Sequence, residues 1–374
     1  MPSWLKEGRG SLCGANVSLL LRERGITKPL LVAGERTKNV FFARTGMRLP
    51  VFDAFHPNPD LQDCVAGAAL YQEKGCDGLI SIGGGSAMDT AKGIKALLMT
   101  DIAHVRANQL PPEGKVPHLA IPGTAGTGAE TTAVAVLYED GQKLSVDHPA
   151  LLPDGVLLDG SLLDTLPEYH RKSCAMDALA QGIESWWAKK ATPGSRIHAE
   201  HAIRGVLDNL TAYLQGDRKA QDEMLHAAYE SGVAILTTRT TAAHAMSYQI
   251  TKKLGAAHGH ACMLTLPHLW AHLAAQAEYQ PMLTELAHIL GGEKPMDGAV
   301  LLKGLLAVLE LDKIPMPDDA TLDMLAASVN PERLGNHPEA LTTAQLRAIY
   351  VQAFTPMTDT ERAEAIAAWE QYGK

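Results

Sequence analysis

The sequence predicts an α/β unit built on a parallel sheet over residues 1–160, followed by a nearly all-helical unit over residues 161–374. Three observations predict it. Short apolar runs alternate with helical patterns in the first part, glycines cluster directly after one of those runs, and strand signals fade beyond about Ser161, where Ala/Leu-rich stretches take over. A chain of 374 residues also exceeds the usual reach of one hydrophobic core, which favours two units.

Taken in order, Pro29-Leu30-Leu31-Val32-Ala33 reads as a strand and residues 61–73 as a helix. Gly78-Leu79-Ile80-Ser81-Ile82 has the unbroken apolar character of a strand buried on both faces, Gly83-Gly84-Gly85-Ser86 turns it, and residues 87–99 read as the next helix. Residues 116–122 give another strand, ending in Gly123-Thr124-Ala125-Gly126-Thr127-Gly128. Residues 133–137 and 143–146 suggest a strand pair, and Pro153 and Asp159 mark the exit from the α/β unit. Helices are expected over 174–190, 196–214, 220–236 and 299–309, with Lys313-Ile314-Pro315-Met316-Pro317 as a loop between helices.

Composition excludes several classes. A net charge of −9 without a basic tract argues against nucleic-acid binding. No apolar run approaches the ~18 residues of a membrane span. The segment Met1-Pro2-Ser3-Trp4-Leu5-Lys6-Glu7 lacks the apolar core of a signal peptide, so a cytoplasmic, soluble protein is expected. Cysteines 13, 64, 76, 174 and 262 are dispersed and form no Cys-x-x-Cys pair, and read as reduced thiols.

Two groups of residues carry chemistry. Gly84, Gly85 and Ser86 lie between a strand and a helix, where bare amides and the positive end of the helix dipole can contact a pyrophosphate; Thr124 and Thr127 offer a surface for a flat ring. The spaced Gly-x-Gly-x-x-Gly pattern is missing from the first turn, so a variant of the dinucleotide-binding turn is required. Downstream, Asp177 and Gln181 project from one helix face, and His244 and His258 follow; His260 and His268 are alternative donors. Two imidazoles, a carboxylate and an amide oxygen make a mixed site suited to Zn²⁺ or Fe²⁺. A phosphate grip beside a Lewis acid suits hydride transfer to a carbonyl.

The segments Pro57-Asn58-Pro59, Gly83 through Lys92, Pro122 through Gly128, Asp177-Ala178-Leu179, His244-Ala245-Met246 and His258-Gly259, in this order, make the chain resemble the iron-dependent (group III) alcohol dehydrogenase superfamily. The resemblance implies a Rossmann-like α/β domain, a helical domain, a cleft between them holding NAD(P) and a divalent metal, and a homodimer or larger assembly. It implies that Gly84, Gly85, Ser86 and Asp89 meet the nucleotide's phosphate and nicotinamide region, with Thr124 and Thr127 along the ring and Lys143 close by. It places the metal on Asp177, Gln181, His244 and His258.

Three departures from the family pattern matter. Gln181 stands where a histidine is usual, leaving a set like the Asp-His-His site of glycerol dehydrogenases. Tyr248 stands where a histidine near the nicotinamide is usual, and its hydroxyl can relay a proton. Gly34 leaves room for a 2′-phosphate that Arg36, Thr37 and Lys38 can bind, which favours NADPH, while Glu35 argues for NADH. The runs 177–187 and 240–248 are most similar to the phosphonoacetaldehyde reductase branch. That branch implies an anionic aldehyde, with Arg239 as first anchor and Arg196 as second. Sulfoacetaldehyde and an uncharged aldehyde are the alternative substrates. A dehydroquinate synthase-like lyase and a metal-free nucleotide-binding protein are the rival classes.

Overall fold

The computed structural model describes residues 6–112 and 116–372. The chain divides into two compact units, Met1–Thr165 and Leu166–Lys374. In the first, strands β1 (Lys6–Arg9), β2 (Pro29–Ala33), β3 (Val51–Phe52), β4 (Gly78–Gly83), β5 (His118–Pro122) and β8 (Gly155–Leu158) form a parallel sheet in the order β1–β8–β5–β4–β2–β3. The hairpin β6 (Val134–Glu139) and β7 (Gln142–Asp147) stands apart as an antiparallel pair, turned by Asp140 and Gly141, both at positive φ. The strand pair expected over 133–146 is therefore present but lies outside the parallel sheet.

The period-two alternation of buried strands sorts the core into two faces. Leu30, Val32 and Leu79 pack with Leu61 and Cys64 of α3 (Leu61–Lys74) and with Ala91 and Ile94 of α4 (Gly85–Met99). Leu31, Ala33, Ile80 and Ile82 face the other way, onto Val17 and Leu21 of α1 (Gly14–Glu23) and Phe41 of α2 (Glu35–Thr45). A short helix, α5 (Ile102–Arg106), follows α4. Asp60 starts α3 with a reciprocal capping box through Asp63.

Between Pro153 and Asp159 lies a strand that the sequence pattern does not announce: β8 runs inside the sheet between β1 and β5, a few residues before the unit ends at Thr165. Its four residues are bracketed by turn formers, and tertiary pairing rather than local pattern makes them a strand.

The second unit is helical: α6 (Glu168–Trp187), α7 (Pro193–Leu214), α8 (Arg218–Thr238), α9 (Ala242–Gln249), α10 (His258–Ala274), α11 (Gln280–Leu290), α12 (Asp297–Val308), α13 (Asp319–Ala327), α14 (Pro331–Leu334), α15 (Thr343–Phe354) and α16 (Asp359–Tyr372). A π turn over Ile250–Leu254 extends α9. Helix α6 is the centre, packed by α7, α8 and α10 and buried along nearly its whole length. Such a helix normally carries apolar residues all round. This one instead buries Asp177, Gln181 and Glu184 on one stripe, at the i, i+4, i+7 spacing of a single helix face.

Gly93 in α4 lets α3 approach, since a Cβ there would collide with Cys64 and meet Leu137 Cδ1 at 3.2 Å. Gly93→Ala should destabilise the protein by about 1–3 kcal/mol through overpacking, against the gain of about 1 kcal/mol that helix propensity alone would give. A lowered urea-unfolding midpoint checks this.

Candidate active site

Two sites emerge, one in each unit. In the first, β4 ends at Gly83, whose φ of 145° suits glycine, and Gly84 starts α4 without a side-chain cap. An uncapped helix start leaves first-turn amides and the positive dipole end available to an anion. Gly123 N–H donates to the Gly83 carbonyl at 2.7 Å and holds the two turns side by side. Cβ atoms at Gly84 and Gly85 would reach Thr124 and Thr127 at 3.3 and 3.5 Å, so both glycines face the second turn closely. Ser86 Oγ accepts from Asn58 N–H, which ties Pro57-Asn58-Pro59 to this corner.

Around the start of α4 lie charged groups removed from water. Burial pushes the Asp89 carboxyl up to about 6, against the opposing pull of Lys92 and Lys143. Burial brings Lys92 down to about 8 and raises Glu130 to about 7. Lys92 Nζ donates to Thr132 Oγ1 and to the Val134 carbonyl, which anchors α4 to β6. Lys143 is exposed on β7.

At Gly34 a Cβ would meet nothing within 4 Å, so the end of β2 is open. The three side chains expected to bind a 2′-phosphate there are occupied. Lys38 sits between Glu35 at 2.5 Å and Asp53 at 2.7 Å, Arg36 donates to Thr165, and Thr37 donates to the Gly34 carbonyl. The corner thus sets two carboxylates against Lys38.

In the second unit, Asp177, His244, His258 and Cys262 bring one donor atom each within 4.8 Å of one another. His244 Nε2 is 3.2 Å from Asp177 Oδ1, and His258 Nε2 is 4.0 Å from the same oxygen. Each imidazole has its outer nitrogen held. His244 Nδ1 donates to Glu184 in a short bond, and His258 Nδ1 meets Ser247 Oγ at 3.3 Å. Fixing the outer nitrogen of a metal-binding histidine this way sets ring orientation and tautomer. Glu184, fully buried, also accepts from Thr241 N–H, Thr241 Oγ and Ala243 N–H at the start of α9.

Burial alone would raise Asp177 and Glu184, yet both carboxyls fall below the ordinary range: His258 and His244 act on Asp177, and His244 on Glu184. Burial opposes charge on His258, but Cys262 and Asp177 lift it to about 9. Burial likewise opposes the thiolate, and the two imidazoles still bring Cys262 down to about 7. These are the signs of a cation-seeking centre, in which a metal ion would displace protons from the donors. The donor set fits a divalent ion.

Gln181 lies beside this group, with Nε2 donating to Asp177 Oδ1 at 3.4 Å and Oε1 accepting from Ser231. Tyr248 stacks flat on His258, ring centroids 6.1 Å apart. Arg239 ends α8 at a φ of 63°, a conformation rare for arginine, and Asn336 clasps the Thr238 and Thr240 carbonyls on either side. Its guanidinium donates to the Leu236 carbonyl. Arg196 lies over the Trp186 ring. Neither alternative histidine joins the cluster: both ring nitrogens of His260 are engaged, by Tyr169 and the Leu311 carbonyl, and His268 lines a separate cavity with Lys303 and Asp312. Cys262 was not among the expected donors. Its signal was positional, one helical turn after His258 on the same face of α10.

A second group, His198, His201 and Glu230, joins α7 to α8. There Glu230 is paired with His198 at 2.5 Å, with His226 and His201 farther off.

Comparisons with known proteins place the chain in a family. The family model for iron-containing alcohol dehydrogenase matches residues 3–160, and that for the C-terminal part of the Fe-containing alcohol dehydrogenase family matches residues 172–354. A probable alcohol dehydrogenase of Salmonella typhimurium is 32% identical over 67% of this chain and 63% of its own length. The phosphonoacetaldehyde reductase of Streptomyces viridochromogenes is 36% identical over 57% of this chain and 58% of its own. The chain thus spans less than two thirds of both relatives. The sulfoacetaldehyde reductase of Bifidobacterium kashiwanohense, solved with NAD+, superposes with a TM-score of 0.85 at 25% identity, covering 94% of this chain and 97% of that one. Among the described residues no helix is long and apolar enough to cross a membrane.

The closeness of His258 to Asp177 rests on Gly259, where a Cβ would collide with the Ser173 carbonyl and lie 2.7 Å from Asp177 N and Cβ. Gly259→Ala should force α10 off α6, costing about 1–3 kcal/mol in unfolding free energy, and should weaken zinc binding measured by chelator competition. Unchanged zinc affinity would show that the spacing of these helices does not set the centre.

Proposed function

The chain belongs to the iron-containing alcohol dehydrogenase family, and on that premise we propose that it reduces a small anionic aldehyde, phosphonoacetaldehyde first and sulfoacetaldehyde second, to the alcohol. The observation that carries this reading is the convergence of Asp177, His244 and His258 on one point, with Asp177 and His244 buried and His258 partly exposed. A divalent ion held by these three would polarise the carbonyl oxygen, and a nicotinamide nucleotide on the Gly84-Gly85-Ser86 turn would supply the hydride. Aldehyde, NAD(P)H and a proton give alcohol and NAD(P)+.

The chain's own residues prepare that reaction. Glu184 and Ser247 hold the two imidazoles so that their Nε2 atoms face Asp177. Tyr248, flat against His258, is the side chain assigned to hold the proton for the nascent alcohol. Arg239 is assigned to the substrate's acidic head, because a guanidinium presents a planar fork of donors to a tetrahedral oxyanion. Its rare backbone conformation, clasped by Asn336, supports a functional reason for that turn. The 36% identity to a phosphonoacetaldehyde reductase and the likeness to a sulfoacetaldehyde reductase support the anionic class.

The coenzyme follows from the corner at Gly34. Lys38 is neutralised there by Glu35 and Asp53, and a 2′-phosphate would add charge beside two carboxylates. NADH is the coenzyme this arrangement supports.

The first test follows coenzyme oxidation with phosphonoacetaldehyde, sulfoacetaldehyde and an uncharged aldehyde of similar size, on protein supplied with Fe²⁺ or Zn²⁺. The anionic substrates should show the higher kcat/KM. Arg239→Ala should lower it for them by about 1.5–3 kcal/mol, roughly ten- to a hundredfold, while sparing the uncharged one. Equal kcat/KM for all three substrates would instead identify a general aldehyde reductase. For the coenzyme, NADH should serve at least as well as NADPH, and Asp53→Asn, which loosens the hold on Lys38, should raise kcat/KM for NADPH more than for NADH. A strong NADPH preference in the unaltered protein would contradict this.

A further inference from the structure

We propose that Cys262 is the fourth ligand of the metal centre, in the place that Gln181 would otherwise fill, and that its thiolate inclines the centre toward zinc. The inference rests on the reading of Asp177, His244 and His258 as metal ligands.

Geometry is the first argument. A tetrahedral ion with nitrogen or oxygen donors at about 2.0–2.2 Å and sulfur at about 2.3 Å sets neighbouring donors roughly 3.3–3.7 Å apart. His244 Nε2 and Asp177 Oδ1 are 3.2 Å apart, His258 Nε2 and Asp177 Oδ1 4.0 Å, and His258 Nε2 and Cys262 Sγ 3.9 Å. These spacings bracket the ideal, and small side-chain rotations close the difference. Cys262 follows His258 by one turn of α10, so the helix presents both donors on one face, and the thiol is fully buried within the cluster.

Gln181 is placed for a different task. Its amide nitrogen faces Asp177 Oδ1, and its oxygen accepts from Ser231 Oγ at 2.8 Å. An amide nitrogen cannot ligate a cation, and the amide oxygen is already engaged by the Ser231 hydroxyl. Gln181 thus steadies Asp177 as an outer partner, while sulfur fills the vacancy among the inner donors.

The donor type then decides the ion. Thiolate is a soft ligand that suits zinc, whereas carboxylate and amide oxygens suit harder ions. An Asp-His-His-Cys set is therefore better matched to zinc than an Asp-His-His-Gln set.

The test uses the full-length protein freed of metal and titrated with Co²⁺, a zinc substitute whose bond to sulfur gives a near-ultraviolet charge-transfer band. The unaltered protein should develop that band in proportion to bound cobalt, and Gln181→Ala should keep it. Cys262→Ser should lose it and bind zinc more weakly by at least the roughly 10–100-fold that removing even an outer partner costs. The group at His198, His201 and Glu230 carries no sulfur and adds nothing to this band. Cobalt bound without the band, or a band that survives Cys262→Ser, overturns the proposal. Aldehyde reduction by a zinc-loaded protein that shows no cobalt–sulfur band would remove Cys262 and leave the reductase reading standing. A Cys262-dependent band without reduction of any aldehyde would keep the ligand and remove that reading.

Discussion

The second unit depends on one buried carboxylate. Glu184 is fully shielded, and leaving such a charge uncompensated costs several kcal/mol. The structure satisfies it from two directions. The first amides of α9 and the Thr241 hydroxyl donate to one oxygen, and the His244 imidazole to the other. A single side chain therefore caps a helix, fixes an imidazole and locks α6 to α9, with the bond from Trp187 Nε1 to Thr241 Oγ1 reinforcing the joint. Asp177 stands two turns earlier on the same face of α6, so the placement of one fixes the other.

The two sites are built on opposite principles. In the first unit the candidate anion corner is backbone, made by glycines whose missing side chains let two turns close on each other. Its charged side chains, Lys92, Glu130 and Asp89, lie at or beneath the start of α4, and Lys92 ties that helix to Thr132 and the Val134 carbonyl. In the second unit the site is made of side chains set along buried helices. Backbone amides confer little selectivity among phosphates, whereas a converging donor set discriminates between ions by softness and spacing.

What could be read from the sequence follows that division. The glycine turn was legible because a strand, a glycine run and a helix are contiguous and each leaves a local signal. Strand β8 was hidden, since four apolar residues between Pro153-Asp154 and Asp159 look like part of a loop until β5 and β1 pair with them. The role of Lys38 was hidden for a similar reason: Asp53 reaches it only because β3 lies beside β2. Asp177, His244 and His258 were recognised through motifs, and the structure draws them together. Cys262 leaves no paired-cysteine signal, because its partners are histidines, one of them a single helical turn away. Glu184 lies in the run 177–187, but nothing local indicates that a glutamate on α6 will cap a helix that begins more than fifty residues later.

Helix α10 meets α6 at Gly259 against main-chain atoms, so the distance between these two helices is set by matter that no substitution elsewhere can take away. The donors themselves carry no such constraint. An imidazole on α6 can give way to an amide, or a residue one turn along α10 can turn inward, without moving either axis. A scaffold of this kind separates a rigid frame from an exchangeable lining, and its metal preference can drift while its shape stays fixed.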